Sequence, residues 1–187
     1  MPHSILEPWH DFYLLIGTGA ATLVGLMFVA ASVGSDVFTQ ERQHALRIFL
    51  SPTVVAFSFI LAASLIGVMP AATCEPAGLL LAGIGLLGVA YSGLVWRRMV
   101  RHGIARSIDL EDRAWYAMIP AVAYVLLTAA GIAFCLAAGS ACGLLASGMC
   151  LLLLAGIRNA WDMTTWVVLH RGSRAAAARD ASPVPES

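Results

Sequence analysis

Arg158 and Asp162 are the charged pair that intrudes into the last long apolar run of the chain. Four residues apart on a helix, they share a face. Asn159, Thr165 and Trp166 lie on or beside that face, and Ile157, Trp161, Thr164 and Val168 turn the other way. Ionisable groups within a membrane span mark ion paths or binding sites by default. The four polar side chains Arg158, Asn159, Asp162 and Thr165 are therefore the intramembrane polar candidates, suited to an inner gate or a selectivity ring. Position argues for a plainer role. About twenty residues counted from Ala141 reach the membrane edge, where an arginine can snorkel to water. Trp161 and Trp166 suit an aromatic belt at that level. Arg also precedes Asp, the weaker order along a helix. Anchoring and bundle packing are favoured over transport or catalysis.

The other reactive residues offer less. The cysteines are Cys74, Cys135, Cys142 and Cys150, with no CxxC among them. If Cys74 and Cys142 face an oxidising compartment, a Cys74–Cys142 disulfide is one expectation, and Cys135 is a rival partner. Cys150 reads as a small buried hydrophobe. The histidines, His3, His10, His44, His102 and His170, fall at span edges or in loops, so no pair faces across a bundle to hold a haem. His10-Asp11 could bind a metal or sense pH, but an interfacial polar cap is the favoured reading. Phosphate-binding loops, HExxH and nucleophile elbows are missing, and the first four apolar runs hold no Asp or Glu. No catalytic residue, metal site or cofactor is expected.

The elements that must position these residues are helices in a membrane. Hydrophobic residues make up 59% of the 187 and charged ones 12%, about half the charge of a soluble domain. Five apolar runs are long enough for about 30 Å of hydrocarbon: about 12–34, 46–69, 77–96, 114–138 and 141–161, with helical extension to 169. The Ala/Arg/Ser/Pro tail, 172–187, reads as disordered. Arginine supplies every basic side chain. Arg42 and Arg47 flank the first loop, Arg97, Arg98, Arg101, Arg106 and Arg113 crowd the third, and Arg158, Arg171, Arg174 and Arg179 follow the last run. Five crossings put all of them on one side, giving an outside N-terminus and a cytoplasmic C-terminus. The expectation is an all-α integral membrane protein: one five-helix transmembrane domain over 1–171, in a bacterial inner membrane. With a formal net charge of +0 and arginines placed by the membrane, nucleic acid is not an expected partner.

Two stripes of small residues bear on packing. Gly17, Ala21 and Gly25 recur at four-residue spacing in the first span, and Gly78, Ala82, Gly85, Gly88 and Ser92 form a looser stripe in the third. Small residues let helix backbones approach in lipid. The first stripe predicts a central helix or an oligomer seam. Trp9, Trp96, Trp115, Trp161 and Trp166 fall near span ends as interface anchors.

The run Trp9-His10-Asp11-Phe12, followed by Gly17, Ala20-Ala21, Leu23 and Gly25-Leu26-Met27-Phe28-Val29-Ala30-Ala31-Ser32, resembles the first span of a widespread family of small, mostly uncharacterised bacterial multi-pass proteins. Asn159-Ala160-Trp161-Asp162 resembles their closing motif. Some members are labelled modulators of a membrane-bound ATP-dependent protease. The resemblance implies that Trp9, Gly17, Gly25, Asn159, Trp161 and Asp162 matter to the fold. Its motifs cover about a fifth of the chain.

The leading expectation is a non-enzymatic modulator or accessory subunit that works by helix–helix contact. Its partners would be the lipid bilayer and either further copies of itself or another membrane protein. A homo-oligomeric channel or small-solute transporter using the Arg158/Asp162 face is the alternative. A redox or lipid-modifying enzyme using the cysteines or His10-Asp11 comes third.

Overall fold

A chain surrounded by lipid must satisfy its backbone hydrogen bonds within itself, and a helix does so residue by residue. The computed structural model describes residues 6–34, 40–69, 74–101 and 114–180, with side chains described over 6–30, 32, 52–69, 75–98, 100–101, 115–162 and 165. Among the described residues all regular structure is helical. A 3₁₀ turn, Glu7–Trp9, leads into α1, His10–Gly34. Then come α2, Gln40–Gly67, and α3, Cys74–Arg101. A π-helical turn, Ala114–Met118, runs into α4, Ile119–Cys135, and α5 spans Ala141–Asp180. Four stretches are long and apolar enough to cross a membrane: Glu7–Ala30, Glu75–Arg98, Trp115–Cys135 and Ala141–Asp162. The apolar part of α2, Pro52–Gly67, is shorter.

Two boundaries differ from the sequence reading. The tail expected to be disordered from Gly172 is helical through Asp180; its Ala175 to Ala178 run has the best helix propensity of any residue type. Residues 181–187 lie outside the described ones. The fourth run opens as a π-turn rather than an α-helix. Pro120 has no N–H to return to the carbonyl four residues back, at Tyr116, so the turn before it widens.

Contacts fix the directions. Methyl groups added to Gly17 and Gly67 would meet Ser64 and Tyr13, so α1 and α2 are antiparallel. Gly78 faces Cys135 and Gly85 faces Thr128, which sets α3 against α4, and Gly148 on Leu127 sets α4 against α5. The Tyr13 hydroxyl donates to the Cys142 carbonyl at 3.2 Å, joining the starts of α1 and α5. The principal neighbours run α1, α2, α5, α4, α3 across the bundle. Half of α5's apolar stretch is buried within the protein (50%), against 22% for α1. The last span is thus the centre, and the first is an outer helix. Phe57, Ile60, Tyr124, Leu127, Leu145, Met149 and Leu152 fill the core.

The α4–α5 connection carries one strained residue. Ala137 has φ of 51°. It occupies the left-handed position after a helix end, with Ala138 N–H donating to Ala133 O at 2.9 Å and Ala137 N–H to Phe134 O at 3.1 Å. Glycine fits that conformation without a Cβ penalty. Ala137→Gly is therefore expected to raise stability by up to about 1 kcal/mol, read as a higher unfolding temperature in mild detergent.

Candidate functional site

The most polar interior lies toward the end of the bundle that carries Arg97, Arg98 and Arg101, all exposed. Four helices meet around a small cleft there. Pro52 and Ala56 come from α2, Ser92 from α3, Tyr116 and Tyr124 from the π-turn and α4, and Asn159 from α5. The cleft has room for about one water molecule. Local sequence explains the convergence. Gly156 lets Phe57 of α2 lie directly on the α5 backbone, where a methyl group would come 2.5 Å from the Phe57 ring. Gly88 does the same for the Tyr124 ring, which also meets Phe59 edge-on at 5.0 Å.

Polar groups are buried at this end of the bundle, and of them Ser92 and Asn159 line the cleft. Asn159 is 3% exposed and its Oδ1 has no hydrogen-bond partner in the protein; Thr53 Oγ1, 1% exposed, has none either. Ser92 is also buried. The charged pair forms the rim. Arg158 Nε lies 3.8 Å from Asp162 Oδ2, both side chains being 36% exposed, and the guanidinium sits over the Trp115 ring at 4.9 Å. That separation exceeds a charge-assisted hydrogen bond. At this exposure the ion pair contributes about 1 kcal/mol or less. The stacking on Trp115 ties α5 to the segment that opens α4.

The four polar candidates of the last helix do not share one environment. Asn159 points inward, Arg158 and Asp162 are half-buried, and Thr165 is exposed, its hydroxyl donating to Trp161 O at 3.0 Å. Trp161, 72% exposed, faces outward, Trp96 is exposed, and Trp9 and Trp115 are half-buried. The side chain of Trp166 lies outside the described residues. Gly17 is packed on Ser64, whereas Ala21 and Gly25 are exposed. The looser stripe of α3 makes the tighter seam: Gly78, Gly85 and Gly88 all abut α4.

Cys142 is buried; the Cys74 side chain, and with it the Cys74–Cys142 disulfide, lies outside the described residues. Cys135 Sγ reaches the Glu75 carbonyl at 3.7 Å. His10 Nδ1 and Asp11 Oδ1 stand 3.4 Å apart on the exposed surface. Among the described residues no group of three His, Cys, Asp or Glu side chains is placed to hold a metal.

Sequence reasoning from the Arg158/Asp162 face missed the cleft itself. Ser92, Tyr116 and Tyr124 lie on three elements other than α5, and periodicity within one helix cannot join them. Pro52 and Pro120, each near the start of an apolar run, were the usable signal, because a proline in a span frees a carbonyl that a polar neighbour can use. Chemically, the arrangement offers acceptors and hydroxyls within an aromatic wall. Comparison of the chain with family models, with curated proteins and with solved structures finds no match.

Proposed function

We propose that the protein is a non-enzymatic component of a bacterial inner membrane that acts by helix–helix contact, as a modulator or accessory subunit of a larger membrane assembly. In this reading α2 is the fifth spanning helix, the N-terminus lies outside and the C-terminus in the cytoplasm. The clustering of Arg97, Arg98, Arg101 and Arg158 toward one end of the bundle supports that orientation.

The observation that carries the reading is the outer face of α1. Ala21 and Gly25 are exposed, and a methyl group placed on Gly25 meets nothing within 4 Å. Thr18 and Thr22 turn their hydroxyls back onto their own helix, donating to Leu14 O and Thr18 O at 2.8 Å. Leu26, Phe28 and Val29 are exposed alongside. Lipid supplies helices with little drive to associate unless their backbones approach closely, so small residues on an outer face suit a neighbouring helix.

Native mass spectrometry of the protein, gently extracted from its own membrane, tests this. The expected result is a discrete complex with a different polypeptide. A closed ring of identical subunits would replace the accessory reading with the channel one. A lone monomer would end both.

A further inference from the structure

α3 is the other outer helix of the bundle, with 28% of its apolar stretch buried within the protein. Gly78, Gly85 and Gly88 hold one side of it against α4, and the opposite side faces the membrane. At about 100° per residue, Leu86, Leu87, Ala90, Gly93 and Leu94 fall on that opposite side, in line with Arg97, Arg98 and Arg101. The three leucines are each more than half exposed. A methyl group added at Gly93 would meet nothing within 4 Å, so small residues leave a shallow trough between them. The arginines close this strip at one end. All three are exposed, and among the described residues none pairs with an acidic side chain. From Arg97 to Leu87 is about 15 Å along the helix, the depth of hydrocarbon in one leaflet.

We propose that this strip of α3 binds an anionic phospholipid, with its phosphate on the arginines and an acyl chain along the leucines. Charge and level together select that occupant. The apolar stretch Glu75–Arg98 ends among the arginines, which puts them at the height of the lipid headgroups. A guanidinium presents a planar fork of donors that matches phosphate oxygens. Arg97 and Arg101 are one turn apart on one face, so both reach a single phosphate. Basic side chains near the surface attract headgroups that carry net negative charge. A neighbouring helix would suit the leucines but leave the like-charged arginines unanswered. The strip is independent of what α1 touches and of which leaflet meets this end, so it stands or falls apart from the accessory reading.

Full-length protein in phosphatidylcholine bilayers, with a trace of chain-labelled lipid, tests this by electron paramagnetic resonance, which separates lipid held on protein from free bilayer. Spin-labelled phosphatidylglycerol should be held severalfold more than spin-labelled phosphatidylcholine. That preference should collapse in the double variant Arg97→Gln with Arg101→Gln. It should survive in Arg174→Gln with Arg179→Gln, which removes the same charge beyond the apolar stretch of α5. Because Arg97 and Arg101 are exposed, the first double variant should melt with the native protein, and the comparison of the two lipids on native protein needs no variant. Three results would overturn the proposal. Equal retention of both lipids by native protein would mean that no anionic lipid is selected. A preference untouched by Arg97→Gln with Arg101→Gln would place the arginines on some other acidic group. An equal loss in Arg174→Gln with Arg179→Gln would reduce the effect to net charge.

Discussion

Gly131→Val is expected to leave little folded protein in the membrane, while Gly25→Val leaves the melting temperature unchanged. Both replace glycine with the same branched side chain in an apolar helix. At Gly131 even the first added carbon would overlap the backbone of α3, at Ala82 N, and would lie 2.6 Å from Gly78 O. Backbone cannot swing aside as a side-chain tip can, so α3 and α4 would have to part along the most extensive pairing in the bundle. Overpacking a core typically costs about 1–3 kcal/mol, and a clash with backbone falls at or beyond the top of that range. At Gly25 the same side chain enters open space. The measurement is the yield and melting temperature of each variant in mild detergent, beside the native protein. Equal stability of the two variants would show that the α3–α4 seam is not built as described. If Gly25→Val keeps its stability but loses the partner seen by native mass spectrometry, the outer face of α1 is the contact surface.

The same pair of glycines shows how far the sequence can be read. Four-residue spacing of small residues announces that a helix face permits close approach, and both stripes announce it. It does not say whether the approaching helix belongs to the same chain. Gly17 meets Ser64, but Ala21 and Gly25 do not continue that contact, because the first helix is an outer element. The long apolar runs were legible because each helix closes its own hydrogen bonds locally. The π-turn before Pro120 and the helical course of residues 172–180 turn on local propensities that hydropathy does not weigh. Asn159 was singled out for its position beside Arg158. Its inward direction, away from Arg158 and Asp162, follows from where Phe57 and Tyr124 pack, and those residues are distant in sequence.

Phe57→Ala and Gly156→Val should each destabilise the bundle by about 2–4 kcal/mol, and together by less than either alone. Phe57 is fully buried, so truncating it leaves a ring-sized void at the α2–α5 seam. Such losses run to about 3–5 kcal/mol in soluble cores. Lipid lowers the figure here, because the unfolded helices also bury their apolar groups, and what is lost is packing. Gly156→Val fails for the opposite reason, since its Cβ would sit 2.5 Å from Phe57 Cε1. In the double variant the valine enters the space that the ring vacated. The coupling between the two changes is then large and favourable, as expected for residues in direct contact. A thermodynamic cycle over the four proteins, by reversible unfolding in mixed micelles, measures it. Additive effects would mean that Phe57 and Gly156 do not share one volume, and the α2–α5 register would lose its anchor. Recovery in the double variant would fix that register by stability alone, without reference to any function.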